Sequence, residues 1–379
     1  MTFALDGIRI LDSAHQYPGP YCSMLLGDLG AEIIKVERPD GGDPGRFWPG
    51  FFRSINRNKK SITLDLKKSD ARDILYRLVE RSDVFTEGFR PGVASRIGIN
   101  YDTLQKINPR LIYCSISGYG QDGPYRDLPG HDVNYMALAG MLQEFKDKSG
   151  NITLPTIAIG DLSSGMFAVI GILTALMARE KTGKGQYIDI SMFDGLVSWM
   201  STRLGSFFAN APSEGEYDAG YGVFNASDGK AFTLGIAHEN WFWDRLCSAT
   251  HLYELQGLGQ LERKDQREAL VDKLKTTFSQ KPRDEWIKIL IEADVPVAPV
   301  HTVEDVVNDP HVIFREMIQD ISLSSGEMNK QVNFPIKLFG TPGKIQLPPP
   351  ELGEHNKDIL YWLGYATEEI ERFKNEGVI

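Results

Sequence analysis

Short apolar runs alternate with amphipathic stretches through the first half of the chain. Residues 7–12 (GIRILD), 31–37 (AEIIKVE), 61–65, 83–87 and 111–117 (LIYCSIS) each read as a strand. Between them, the run PGPYCSMLLGDLGA reads as a turn at Pro18-Gly19 followed by a helix, and residues 71–81 keep their apolar positions on one helical face. Strands alternating with helices predict an α/β fold with a largely parallel sheet. The most apolar stretch, residues 166–178, predicts a buried helix, because about a dozen residues fall short of the ~20 that a membrane span needs.

After Gly195 the texture changes. Residues 208–222 are small, acidic and glycine-rich, which predicts a linker. Asp228-Gly229 between VFNA and KAFTLGI predicts a hairpin turn. Helical patterns follow at 241–249 and 266–281, then a proline-rich extended stretch at 335–350 and one amphipathic helix over 358–375. A chain of 379 residues exceeds one ordinary domain, so two domains are expected. The expected boundaries are 1–200 for a large domain, 201–224 for a linker, 225–325 for a small domain, and 326–379 for a linker and returning C-terminal segment.

Composition narrows the function classes. With 42% apolar and 24% charged residues the chain is an ordinary folded protein, and its net charge of −10 opposes a nucleic-acid partner. Cys22, Cys114 and Cys247 are sparse, odd in number and without metal-ligand spacing. That suits a reducing, cytoplasmic setting, with each thiol acting as a small hydrophobe. The start, MTFALDGIRILD, lacks the basic region of a secretory signal. No membrane association and no metal are expected.

Two sets of residues carry candidate chemistry. Lys35, Arg38, Arg57, Lys59, Lys60, Lys67, Lys68, Arg90 and Arg96 fall near predicted strand ends. They are either solvated surface charges or a cradle for a phosphorylated ligand, since open α/β sheets bind ligands beyond their carboxyl edges. Neither a GxGxxG nor a GxxxxGK[ST] pattern is present. The second set is polar residues in apolar settings: Gly130-His131-Asp132-Val133-Asn134-Tyr135, then Asp161 before a long apolar helix, then His238-Glu239. Asp161 reads first as an N-cap, and at the same position as a carboxylate held at a helix N-terminus for base or nucleophilic work. His131 reads as a turn histidine or a functional imidazole, and Glu239 as a cap for the 241–249 helix or a site acid.

The segments LDGIRILD, PGPYCSMLLGDLGAEIIKVERPDGGDPGR, NRNKKSITLDLK, TEGFRPGVASRIGI, NPRLIYCSISGYGQDGPYR and REKTGKGQYIDISMFDG resemble the family III CoA-transferases and alpha-methylacyl-CoA racemases. The likeness is densest over residues 7–195. It implies an interlocked homodimer, each chain forming a Rossmann-like large domain and a smaller α+β domain. It also implies an acyl-CoA thioester as substrate, with coenzyme A arriving as part of that substrate and no tightly bound cofactor. The positions matching the CoA site are Arg38, Leu64, Lys67, Gly88, Phe89, Arg90 and Arg96.

The resemblance leaves two chemistries. In a transferase, Asp161 attacks the donor thioester, and an aspartyl-CoA intermediate passes CoA to a carboxylic acid acceptor. In a racemase, the proton alpha to the thioester leaves one face and returns to the other through an enolate, which needs two acid/base groups. The racemase pattern GHDxNY is met by His131, Asp132, Asn134 and Tyr135, with Asp161 and Glu239 as further acids. This favours a racemase or epimerase of 2-methylacyl-CoA thioesters over a transferase. The stretch that usually carries the last acid reads GIAHENWF with an inserted residue, so His238 and Glu239 both stand for that position. A third reading is a non-catalytic CoA-binding subunit paired with a paralogue, which would need the cations but neither His131 nor Asp161.

Overall fold

The computed structural model describes residues 2–147, 149–210 and 218–379. The chain divides into two units, one of residues 1–201 and 314–379, the other of residues 202–313.

In the first unit the chain runs β1 (Arg9–Asp12), α1 (Pro18–Asp28), β2 (Glu32–Glu37), α2 (Pro49–Ile55), β3 (Lys59–Thr63), α3 (Ser69–Glu80), β4 (Val84–Glu87), α4 (Val93–Arg96), α5 (Tyr101–Ile107) and β5 (Ile112–Ser117). It continues through α6 (Asp132–Leu138), α7 (Ile159–Thr182), β6 (Tyr187–Ser191) and α8 (Met192–Trp199), and α9 (Ser201–Phe208) opens the second unit. The six strands form one parallel sheet in the order β3-β2-β1-β4-β5-β6. Strand order reverses between β1 and β4, and a crevice opens beyond the carboxyl ends at such a switch point. Strands β1 to β5 are buried on both faces, with α1 and α7 on one side and α3 with the C-terminal helices on the other, while the edge strand β6 is partly exposed. That is why they read as continuous apolar runs rather than alternating ones.

The second unit holds β7 (Tyr221–Asn225), β8 (Ala231–Gly235), α10 (Asn240–Ala249), α11 (Gln260–Asp265), α12 (Arg267–Phe278), α13 (Arg283–Glu292), β9 (Val297–Pro299) and α14 (Val303–Asn308). Its antiparallel sheet, β7-β8-β9, packs its own core around Trp243, Phe232, Phe278 and Trp286. Helix α15 (Pro310–Phe314) leads back to the first unit, which is completed by the hairpin β10 (Ile318–Ser322) and β11 (Met328–Val332) and by α16 (Asn356–Leu363) and α17 (Thr367–Asn375).

Several expectations change. Residues 201–208 are helical, not linker; the rest of the expected linker falls partly on residues 211–217, outside the described residues. The β10–β11 hairpin groups with the first unit, although the small domain was expected to run to residue 325. The C-terminal amphipathic stretch is two helices, broken where Gly364 adopts φ +93°, a left-handed conformation suited to glycine. The long helix α7 has 24 residues, enough by length and composition to cross a membrane. It is buried along only one side. Ser163, Ala168, Ile172, Ala175 and Leu176 pack inward, while Met166, Ile170 and Met177 are exposed.

The sheet is fastened by buried ion pairs. Lys59 Nζ lies 3.1 Å from Asp12 Oδ2 and also donates to the Pro20 carbonyl and the Asn56 amide oxygen. Asp12 accepts further bonds from Ser23, the Ala14 N–H and Thr86. Lys35 Nζ meets Asp43 Oδ2 at 2.8 Å, and Arg57 forks onto both oxygens of Asp28. The cations Lys35, Arg57 and Lys59 are therefore structural, contrary to the phosphate-cradle reading, and are fully committed inside the protein. Replacing Lys59 by Met should strand the Asp12 charge and cost about 3–5 kcal/mol in urea unfolding. A loss below about 1 kcal/mol would show that Ser23, Thr86 and Lys35 suffice to hold Asp12.

Candidate active site

At the switch point, the loops after β1, β4 and β5 and the first turn of α7 enclose a cleft of about 1060 Å³. Each wall follows from local sequence. The β1–α1 loop is held because the Gln16 N–H donates to both oxygens of Asp43, at 3.0 and 3.2 Å. Gln16 takes φ +59°, unusual for a residue with a side chain. Burial raises Asp43, but the Lys35 ammonium and the bonds from Gly45 and Gln16 hold it well below the ordinary carboxylate range. The β4 loop is set by Glu87, which accepts from the Phe89 N–H at 2.7 Å and from the Ser115 hydroxyl. Burial pushes Glu87 up to about 7 against those bonds.

Asp161 projects from the third residue of α7. Here the cap reading is overturned: the N-cap position is Ala158, and the cap is supplied from elsewhere in the sequence. Asp132 Oδ1 accepts from the Gly160 N–H at 2.6 Å and from the Asp161 N–H at 3.2 Å. With its backbone capped by another carboxylate, the Asp161 side chain forms no hydrogen bond or ion pair among the described residues. Burial first, and the Asp132 charge second, push Asp161 up to about 7. Such a carboxyl exchanges protons near neutrality and, when ionised, is a poorly solvated nucleophile.

His131 lines the same cleft as the N-cap residue of α6, its N–H donating to the Asn134 amide oxygen at 3.0 Å. Tyr135 closes the floor. Its hydroxyl donates to the Gly130 carbonyl at 2.5 Å, and burial, followed by Asp161, pushes it up to about 12. Its ring fills the space where Gly118 and Gly130 lack side chains, since a Cβ on either would come within 2.7 Å of it. The motif GHDxNY thus has a physical reading: a glycine for the ring, a histidine for the cleft, an aspartate for the cap of α7, an asparagine for the cap of α6.

Of the residues singled out from sequence, Asp161, His131, Gly88, Phe89, Arg90 and Arg96 line this cleft, and Asp132 supports it from behind. Arg38 and Lys67 are exposed outside its walls. Leu64 is a core residue, packed with Ile74, Leu75 and Leu360. Glu239 belongs to the second unit, where it is the N-cap residue of α10 and accepts from the Ala237 N–H at 3.1 Å. Sequence reasoning missed Tyr17, Trp48, Phe51 and Arg126, all on the cleft. Tyr17 and Phe51 meet edge to face at 4.7 Å. Their signal was weak, because neither the Tyr17 loop nor the seven-residue helix α2 is long enough to show a period.

A parallel sheet covered by helices on both faces, with a desolvated carboxylate at its switch-point cleft, places the chain in the α/β class with a ligand cleft where such folds carry one. Comparison with known proteins supplies the family. The model of CoA-transferase family III matches residues 5–356, and the chain belongs to that family. It is 35% identical to the acetyl-CoA:oxalate CoA-transferase of Acetobacter aceti, over 92% of this chain and 93% of that one. It is 33% identical to the human alpha-methylacyl-CoA racemase, over 99% and 97%. A crystal structure of a CaiB/BaiF family protein from Brucella suis superposes with a TM-score of 0.86 at 30% identity, covering 96% of this chain and all of that one. Both activities occur among these relatives, and the chain is an enzyme of the racemase-or-transferase class.

Asp161 makes stability depend on pH. Its folded value, about 7, lies above the ordinary 3.8, so the folded state holds the proton more tightly. That contribution is complete below about pH 4 and is lost as pH rises through about 7. Asp161→Asn should therefore melt higher than the wild type at pH 8 and lose that advantage by pH 4. Parallel melting curves across this range would place the Asp161 carboxyl in solvent.

Proposed function

We propose that this enzyme exchanges the alpha proton of a 2-methylacyl-CoA thioester, acting as a racemase or epimerase. The observation that carries the reading is the Asp132 bridge. One short segment presents His131 to the cleft and, through its next residue, fixes the helix turn that presents Asp161 to the same cleft. Two acid/base groups on one rigid frame suit removal of a proton on one face of a carbon and its return on the other. One group takes the alpha proton as the C–H electron pair moves into the thioester carbonyl. The other then donates a proton to the opposite face of the enolate, and the two recover their starting states by exchange with solvent. Coenzyme A enters as part of the substrate, and the buried thiols accord with a cytoplasmic setting.

A transferase reading has its own support. Asp161 carries a carboxylate free of hydrogen bonds, as a nucleophile toward a thioester requires, and the Acetobacter aceti relative is named for such a transfer. On that path CoA would pass to a carboxylic acid acceptor through an aspartyl thioester.

An interlocked homodimer is part of the proposal. Exposed apolar side chains on α7 (Met166, Ile170, Met177) and α9 (Phe207, Phe208) form surface of the kind that a second copy covers, and the partner's copy of the second unit would bring Glu239 or His238 to the site. Light scattering should give twice the chain mass; a monomer that is fully active would overturn this part.

Mass spectrometry in D2O tests the chemistry, using single enantiomers of several 2-methylacyl-CoAs without acceptor acid. Gain of one mass unit with loss of chiral purity is expected, abolished in Asp161→Asn and His131→Ala. No exchange across the panel, with hydroxylamine-sensitive labelling of Asp161 on adding an acceptor acid, would establish the transferase instead.

A further inference from the structure

We propose that Glu87 is a positioning residue that ties two walls of the cleft together through Ser115 and Gln121, and that its ionised form makes the tie. The inference rests on the reading that the cleft takes a CoA thioester. Glu87 ends β4, and Ser115 is its register partner on β5. Both are buried, and neither lines the cleft. Glu87 Oε2 accepts from the Phe89 N–H at 2.7 Å, which fixes the turn that carries Gly88, Phe89 and Arg90 along one wall. Glu87 Oε1 accepts from the Ser115 hydroxyl, and Ser115 Oγ in turn accepts from the Gln121 amide at 2.8 Å. Gln121 stands on the loop after β5, which lines the other wall with Tyr119 and Pro129 and ends at His131. The Gln121 N–H also donates to Asp189 Oδ2 at 2.9 Å, so the start of that loop is held at two points.

This chain of bonds has a direction. A hydroxyl has one proton to give. Ser115 gives it to Glu87 and takes one from Gln121, an order that an ionised Glu87 completes. The Phe89 N–H occupies Oε2, so a proton arriving on Glu87 goes to Oε1 and points at Ser115 Oγ. Ser115 must then turn its own proton toward Gln121, where an N–H already points. Gln121 must reverse its amide or let go, and the loop that leads to His131 loses one of its two anchors.

The surroundings make that proton exchangeable. Among the described residues Glu87 forms no ion pair. The titratable groups that face it are Tyr113 and Cys114 on β5 and Tyr187 and Asp189 on β6, with Tyr101 of α5 packed on both tyrosine rings. All are acids, and none offers a positive charge. Burial, with Asp189 adding to it, pushes Glu87 up to about 7 against the bonds from Ser115 and Phe89. A glutamine would fit the same place without that cost. The carboxylate is the group that sets the direction of the chain.

Calorimetric titration with S-propyl-3′-dephospho-CoA tests this, because the phosphates of that unreactive thioether stay fully charged near neutrality. The background is Asp161→Asn, which removes the other carboxyl that titrates near 7. Affinity should rise about three- to tenfold between about pH 6 and pH 8, the worth of one hydrogen bond. Adding Glu87→Gln should abolish the rise and leave binding at its low-pH level. Gln121→Met, at a half-buried position, should do the same. With Asp161 in place, Glu87→Gln should raise KM by a similar factor at pH 8 and keep kcat within about twofold. Stability should move the other way. The folded value of Glu87, about 7, lies above the ordinary 4.5, so its contribution is complete below about pH 4.5 and is lost as pH rises through about 7. Glu87→Gln should therefore melt higher than the wild type at pH 8 while binding more weakly, whereas loss of a merely structural group lowers both. A flat profile in the background, a rise that survives Glu87→Gln, or a kcat that collapses at unchanged KM overturns the tie and leaves the acyl-CoA reading in place. Failure of the unmutated enzyme to bind the thioether overturns both.

Discussion

The arrangement of the site depends on one carboxylate cap that spans 28 residues of sequence. Asp132 satisfies two amides at the start of α7 and so determines where that helix begins and which way its third residue faces. A helix N-terminus leaves amides unpaired, and a nearby acid normally caps them locally. Here the local acid, Asp161, is relieved of that task. The approach is close enough to require glycine at position 160, since a Cβ there would lie 2.9 Å from Asp132 Oδ1. Gly165, one turn and a half further on, meets the same demand from the other side: a Cβ there would be 2.8 Å from the Pro18 carbonyl. The sequence GDLSSG is small because α7 is clasped between Asp132 and the start of α1.

The same cap explains why Asp161 is costly to keep. Two carboxylates share the first turn of one helix, and only Asp132 has amide partners. Burial and like charge then act on Asp161 together and raise it toward neutrality. A structural residue would be selected against in that position, because an amide or an apolar side chain would fill it at lower cost. Stability given up at a group aimed into a cleft marks function more firmly than the residue type alone does.

The sheet was legible because its strands are short apolar runs bounded by turns, and the order of elements follows from parallel connections. The site was legible only in pieces. Lys35, Arg57 and Lys59 carry the same charge as Arg90 and Arg96 and fall at similar distances from strand ends, yet the first three are swallowed by Asp43, Asp28 and Asp12. Those partners lie 8, 29 and 47 residues away along the sequence, which no local pattern links. Asp161 was ambiguous between cap and chemistry because the residue that decides, Asp132, acts across the same kind of gap. Arg126 went unnoticed because a single arginine in a polar loop carries no pattern that marks it as lining a cleft.

This scaffold also shows how one family can hold two chemistries. On the proposed reading, the carboxylate of Asp161 and its Asp132 cap serve a thioester whichever bond reacts. Nucleophilic transfer asks only that the thioester carbonyl carbon reach the Asp161 oxygen. Proton exchange asks that the adjacent carbon sit between two groups, and His131, one peptide unit from the cap, lines the same cleft. A histidine placed there gains a fixed backbone from the Asn134 bond and a fixed distance along the chain from Asp132. On the proposed reading, the difference between the two reactions rests on His131, the residue before the cap.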